Sequence, residues 1–228
     1  MTLILEVCAF NIQSCFVAQE AGASRIEFCA DPLQGGTTPS HGAIIYALEH
    51  ISIPVFPMIR PRGGDFIYDK DELEIMKRDI LFCKELGCKG IATGIQLPDG
   101  RIDIERLKRI TGWAYPMAVT CHKVFDGAPD AFAALEDVIA AGCARILTSG
   151  LSKTAIDGAP TLAQLVQQAA ERIIIMPGGG VRTTNIGALA AETHAREYHT
   201  SGLTNGARNL VASKEEIMAM LDILSSLP

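Results

Sequence analysis

The sequence predicts an α/β protein, a single (β/α)8 barrel of the TIM type, on three observations. Short apolar runs alternate with helix-like segments eight times along the 228 residues. A junction built around one glycine recurs three times between helix and strand. Polar, chemically capable residues collect where the apolar runs end, the place where this fold carries its sites.

The eight strand-like runs are Leu3–Cys8, Arg25–Cys29, Pro54–Arg60, Gly90–Gly94, Pro116–Cys121, Arg145–Ser149, Ile173–Pro177 and Arg196–Thr200. Most read as apolar on both alternating faces, as strands do when helices cover one side and a barrel interior the other. Eight units in 228 residues is about 28 residues each, compact but sufficient for this barrel. The best marked helix follows Asp69-Lys70-Asp71-Glu72, which predicts a capping box. Leu73, Met76, Ile80 and Cys83 then recur at helical spacing as one buried stripe, and Gly87 is the expected stop. Asp126 leads toward a helix expected to start near Pro129.

The recurring junction is Ala21-Gly22-Ala23-Ser24-Arg25-Ile26, Leu86-Gly87-Cys88-Lys89-Gly90-Ile91 and Ala141-Gly142-Cys143-Ala144-Arg145-Ile146. Each is a helix end, a capping glycine, a small residue and a strand entry, so one supersecondary unit is repeated. A doubly wound open sheet is the competing architecture, and it would bind its ligand at one switch point. The length fits one domain spanning residues 1–228.

Composition narrows the functional classes. Hydrophobic residues make up 48% and charged residues 20%, which excludes a disordered chain. No apolar run reaches the ~18 residues of a membrane span, and the opening Met1-Thr2-Leu3-Ile4-Leu5-Glu6 lacks the basic start of a signal peptide. Net charge is −6 without a Lys/Arg cluster, so neither nucleic acid nor membrane is an expected partner. Seven cysteines without a CxxC read as thiols of a cytoplasmic protein.

The strand ends supply the candidate chemistry. Glu6 and Cys8 share one face of the first strand, and Glu27 and Cys29 do the same on the second. Neighbouring strands lie ~4.8 Å apart, so the two thiols can approach and offer a soft Cu(I) site; equally, they can be small core residues. Arg60, Arg62 and Lys123 supply positive charge near Glu6, Glu27 and Asp126, either for an anionic ligand or to pair with the acids. Gly178-Gly179-Gly180 after strand seven and Ser201 after strand eight present backbone amides where barrels often hold phosphate; a tight turn is the plainer reading. His122 and His199 are acid–base candidates, or partners of loop carbonyls. Cys15, Cys83, Cys88 and Cys143 read as structural, and Cys121 points away from its neighbour His122.

Taken together, Glu6-Val7-Cys8, Arg25-Ile26-Glu27-Phe28-Cys29-Ala30, Gly35-Gly36-Thr37-Thr38-Pro39-Ser40, Ile59-Arg60-Pro61-Arg62-Gly63-Gly64-Asp65-Phe66, Arg145-Ile146-Leu147-Thr148-Ser149-Gly150, Met176-Pro177-Gly178-Gly179-Gly180 and Glu197-Tyr198-His199 resemble the CutC family, named for copper homeostasis. The resemblance implies a TIM-type barrel, a cytoplasmic location, a homodimer and a Cu(I) site at Cys8 and Cys29. Two stretches depart from it. His122-Lys123-Val124-Phe125-Asp126 stands where the family continues His-Arg-Ala-Phe-Asp, and Ala92-Thr93-Gly94 replaces a more apolar segment. Lysine keeps the charge but loses the planar fork.

Three functions follow as expectations. One is a copper homeostasis protein binding Cu(I) through Cys8 and Cys29. Another is an enzyme acting on a small anionic or phosphorylated metabolite, with Glu6, Glu27, Arg60, Arg62, His122, Lys123, Asp126 and His199 as catalytic candidates. Gly179, Gly180 and Ser201 would then hold the anion. The third is a module that senses a metabolite or metal without turnover.

Overall fold

Eight parallel strands, each followed by a helix, close into a ring in the computed structural model, which describes residues 3–204 and 210–227. Met1 and Thr2, at the start of the N-terminal stretch read above, lie outside these residues. The strands are β1 (Ile4–Ala9), β2 (Arg25–Phe28), β3 (Val55–Pro57), β4 (Gly90–Thr93), β5 (Ala118–Cys121), β6 (Arg145–Thr148), β7 (Ile174–Pro177) and β8 (Glu197–Thr200). The helices are α1 (Ile12–Glu20), α2 (His41–His50), α3 (Lys70–Glu85), α4 (Ile104–Ala114), α5 (Ala131–Ala140), α6 (Ala159–Ala169), α7 (Ile186–Thr193) and α8 (Lys214–Ser225). None of them is long and apolar enough to cross a membrane.

Ladders run β3-β2-β1-β8 and β4-β5-β6-β7, and single parallel bridges join the halves: Met58 with Ala92, and Gly178 with His199. Sequence order is therefore ring order, as in a (β/α)8 barrel and unlike a doubly wound sheet. The third run shows how one seam forms. Pro57 has no N–H to extend the ladder. The chain then transfers across, Met58 N–H donating to Phe28 O (2.9 Å) and Ile59 N–H to Ala92 O (2.8 Å). The run read as Pro54–Arg60 thus yields only three strand residues, Val55–Pro57.

Outward side chains such as Leu5, Val7, Ile26, Ile91, Val119, Ile146 and Tyr198 join the main hydrophobic core under the helices. Each fully buried aliphatic residue there contributes about 1.5–3 kcal/mol. The predicted stripe of α3, Leu73, Met76, Ile80 and Cys83, is buried against it. The inward face differs from the reading of strands apolar on both sides. Cys8, Cys29, Met58 and Ala92 form a small separate cluster, while Glu6, Arg25, Glu27, Arg145 and Glu197 are buried.

The repeated junction has one conformation in all three copies. Gly22, Gly87 and Gly142 adopt φ of +90°, +78° and +80°, values that an L side chain rarely tolerates. Gly90 answers a different need: a Cβ there would lie 2.3 Å from the Phe56 ring, so its absence admits that ring.

The capping box of α3 is complete. Asp69 accepts from the Asp71 and Glu72 amides (2.8 Å each), and Glu72 accepts from the Asp69 amide (2.9 Å). Replacing Asp69 with Ala should lower the free energy of unfolding by about 1 kcal/mol in urea titrations, with Asp69→Asn retaining most of it.

Candidate functional site

The site rests on a buried ion cluster on the inward face. Register sets Glu6 beside Arg25 of β2 and beside His199 of β8. Arg25 donates to both Glu6 and Glu197, and Arg145 donates to Glu197 (3.1 Å). Two guanidinium groups face two carboxylates, so the charges are paired where water is excluded. Arg25 and Arg145 also stand over the Phe56 ring, 5.1 and 5.4 Å from its centroid. These charges correct the expectation of polarity at one strand end: Arg25, Arg145 and Glu197 are each the first residue of their strand.

Glu6 carries this cluster upward. Its second oxygen pairs with His199 Nδ1 at 2.8 Å, and His199 Nε2 lies 3.8 Å from Glu27 Oε2. Cys8 and Cys29 stand beside them, their sulfurs 3.8 Å apart and Cys29 donating to Glu27 Oε2 at 3.5 Å. Cys8, Glu27 and His199 each offer one donor atom within 4.8 Å of the others. Burial alone would raise the Glu6 carboxyl, but the His199 hydrogen bond and Arg25 charge hold it near 2. Burial, reinforced by the nearby Cys8 sulfur, holds Glu27 well above the usual carboxylate range. Burial also disfavours the His199 charge, yet the surrounding acids and thiol prevail and raise its pKa well above the ordinary imidazole value. Cys8 is lowered to about 6 by its hydrogen bond with Cys29, against burial; the same bond, with burial, raises Cys29 well above the thiol range.

Above this floor opens a cavity of about 230 Å³. Cys8, Glu27 and His199 line its base, with Phe10, Met58, Phe66 and Leu147 as apolar wall. Arg60 and His122 line one side. Arg60 donates to the carbonyls of Gln34 (2.5 Å), Gly36 (2.8 Å) and Gly64 (2.7 Å) and packs over Phe66, instead of pairing with the glutamates. His122 Nδ1 accepts from the Val124 amide at 3.1 Å, so its remaining proton sits on Nε2. Burial, with Arg60 nearby, pushes its pKa down to about 3, so the ring is neutral. Glu27 Oε1, Arg60 Nε and His122 Nε2 are buried without a hydrogen-bond partner among the described residues.

Further cationic groups line the cavity. Lys123, Gly179, Gly180, Arg182 and Ser201 belong to its lining, with Lys123 Nζ 3.7 Å from Asp126 Oδ2. Arg182 donates to Thr200 Oγ1 (3.2 Å) and Ser201 Oγ (3.1 Å), tying the loops after β7 and β8. Gly179 has φ of +108°, and a Cβ on it would lie 3.3 Å from Lys123 Nζ and 3.2 Å from Ser149 Cβ. The Gly178–Gly180 turn does not run directly into a helix, since α7 begins at Ile186.

Of the residues chosen from sequence, Cys8, Glu27, Arg60, His122, Lys123, Gly179, Gly180, His199 and Ser201 meet around this cavity. Glu6 and Cys29 lie behind its surface, as supports of His199 and Cys8. Arg62 is elsewhere, bonded to Glu72 (2.5 Å) and Asp65 (3.0 Å). Asp126 does not cap a helix near Pro129; that helix starts at Ala131 with Asp130 as cap. Asp126 instead accepts from Thr148 Oγ1 (2.5 Å), the Ser149 amide (3.0 Å) and the Leu151 amide (3.2 Å), joining the loops after β5 and β6. Arg25, Arg145 and Arg182 lie outside the strand-end residues that the sequence singles out. The first two occupy the same place in the repeated junction, and the third follows the triple glycine by two residues.

Fold and cavity together define a TIM-type barrel with a ligand-sized site at the C-terminal ends of its strands. The chain belongs to the CutC family, whose model matches residues 3–204. It is 49% identical over 217 residues to a family protein CutC of Parabacteroides distasonis, covering 95% of this chain and 87% of the relative. It is 42% identical over 198 residues to the copper homeostasis protein cutC homolog of Mus musculus, covering 87% and 73%. The crystal structure of the putative copper homeostasis protein CutC from Streptococcus agalactiae superposes with a TM-score of 0.83 at 35% identity, covering 88% of this chain and 99% of that one. Phosphoribosyl anthranilate isomerase from Thermotoga maritima shares the fold (TM-score 0.64, 13% identity, 99% and 100% covered).

Removing Arg25 leaves two buried carboxylates without a shared partner, so Arg25→Ala should lose on the order of 3–5 kcal/mol in denaturant unfolding. Glu6 has a folded-state pKa of about 2 against an ordinary 4.5, so its contribution is complete above pH 4.5 and is lost as pH falls toward 2. Stability measured across that window should fall in the native protein and stay flatter in Glu6→Gln.

Proposed function

We propose that the barrel mouth binds and transforms a small anionic metabolite, with the phosphate or carboxylate against the cationic groups and the reacting carbon over the Cys8–Glu27–His199 floor. One observation carries this reading: Glu27 Oε1, Arg60 Nε and His122 Nε2 are buried without partners among the described residues, around a single cavity. Unpartnered buried polar atoms cost about 1–3 kcal/mol each, and a ligand that meets them recovers that cost. His122 offers a neutral N–H and Arg60 a charged one, a pair suited to a carbonyl or hydroxyl oxygen. Lys123, Arg182 and the Gly179 and Gly180 amides suit an anion, and the cavity size suits a metabolite much smaller than a dinucleotide. The seven cysteines, all free and buried, support action in the cytoplasm.

A thermal-shift panel of sugar phosphates, phosphorylated acids and inorganic phosphate tests the site. A hit at 100 times its Kd should stabilise by about 2.7 kcal/mol, and Lys123→Met and Arg182→Met should weaken it. No stabilisation by any compound would overturn the reading. Turnover of a hit separates an enzyme from a sensing module.

The sulfur pair favours a second reading, Cu(I) held by Cys8 and Cys29. Two thiolates suit a soft monovalent ion, and relatives bear copper homeostasis names. Cys29 is only 1% exposed, which leaves a poor surface for handing copper to another protein. Anaerobic Cu(I) titration should give one equivalent, lost in Cys8→Ser and in Cys29→Ser. Binding that survives both substitutions removes this site.

A further inference from the structure

We infer that the floor of the cavity is a mixed-donor site for a divalent ion of the zinc class, formed by Cys8 Sγ, Glu27 and His199 Nε2 with its open position toward the cavity. It rests on the metabolite-site reading only for what that open position faces. The donor set is the first argument. A thiolate, an imidazole and a carboxylate are the three side-chain ligand types of zinc, and three protein ligands with one vacant position mark its catalytic sites. A carboxylate oxygen is a poor partner for Cu(I), so this set differs from the two-thiol pair in both membership and metal class.

Spacing is the second argument. Bonds of about 2.0–2.3 Å in tetrahedral array set donors roughly 3.3–3.8 Å apart. His199 Nε2 and Glu27 Oε2 are already at 3.8 Å, and all three donors lie within 4.8 Å of one another. Closing the set needs side-chain shifts of about 1 Å, on three strand positions of neighbouring strands.

The surroundings supply the third argument. His199 holds its other nitrogen, Nδ1, 2.8 Å from Glu6, which fixes the ring and presents Nε2 to the floor. Metal-bound histidines characteristically have such a carboxylate behind them. Arg25 in turn anchors Glu6 from below. Glu27 is 3% exposed, yet its Oε1 has no partner among the described residues. A salt-bridged plug would satisfy both oxygens; a metal ligand leaves one for the ion or its bound ligand. All three donors line the cavity, and when bound the ion would polarise a ligand oxygen or a water there.

Cobalt(II) makes the test spectroscopic. Chelator-treated, reduced protein titrated anaerobically with Co(II) should bind one equivalent with a thiolate-to-cobalt charge-transfer band. Cys8→Ser should lose that band, Cys29→Ser should keep it, and Glu27→Gln should weaken binding. Glu6→Gln, behind the histidine, should cost ~10–100-fold in affinity while leaving the band. Zn(II) should displace the cobalt and bleach the band. Circular dichroism of each variant identifies any that fails to fold, and the near-isosteric Glu27→Gln keeps the test decisive if Cys8→Ser does. No charge-transfer band, a band lost in Cys29→Ser, or a Glu27→Gln affinity equal to that of the native protein would overturn the inference. Metabolite binding by metal-free protein, assayed in parallel, shows whether the cavity reading stands independently.

Discussion

Glu6 is the residue on which the rest of the interior depends. One carboxylate oxygen takes Arg25 and the other takes His199. Through Arg25 it joins a paired cluster that includes Glu197 and Arg145; through His199 it orients the floor of the cavity. A charge at 1% exposure is tolerable only when both lone-pair regions are engaged, so the two engagements constrain each other. Register enforces this: Glu6 sits opposite Arg25 on one side and opposite His199 on the other, and no other position of β1 faces both.

Barrel architecture converts that constraint into an axis. Charges begin at strand entries, where Arg25, Arg145 and Glu197 lie, and continue through Glu6 to His199 and Glu27. Apolar packing holds the axis in place from outside, because outward strand residues such as Leu5, Val7, Ile26, Ile91, Val119, Ile146, Ile175 and Tyr198 contribute to the core beneath the helices. Inside, Phe56 fills the space beside the two arginines, and Gly90 gives it room. The cavity then opens where the strands end and the loops begin. Its apolar wall of Phe10, Met58 and Phe66 strengthens the electrostatics of the groups at its base.

The fold was legible because its signals are local and repeated. Alternation, the α3 capping box and the three glycine junctions each express themselves within a few residues, and the structure shows each in place. Strand ends also led to the cavity, since in a parallel barrel strand polarity decides which end carries the strand-to-helix loops that surround the mouth. The interior charges were hidden for a physical reason. Arg25 and Arg145 stand at strand entries, where an arginine ordinarily meets solvent, and only the register reveals that they point inward against Glu6 and Glu197. The repeated junction held a clue, since two of its three copies place Arg at the same position. Arg62 and Asp126 misled for the converse reason. Both lie in loops after polar strand ends, but local partners, Glu72 for one and the Thr148–Leu151 loop for the other, claim their side chains.

That distinction separates residues held by the fold from residues left unsatisfied by it. Arg62, Asp126 and Glu197 have their hydrogen-bonding capacity met by named neighbours, and so serve stability. Among the described residues, Glu27, Arg60 and His122 each retain a buried polar atom without one around a space large enough for a small molecule, whereas Tyr68 Oη, Thr120 Oγ1 and Arg145 Nη1 do so away from it. A chain selected only for stability gains by pairing such atoms or replacing them with apolar groups. Three of them converge on one cavity, above a histidine oriented by the residue that also anchors the ion cluster, and that convergence is the physical basis of the proposed metabolite site.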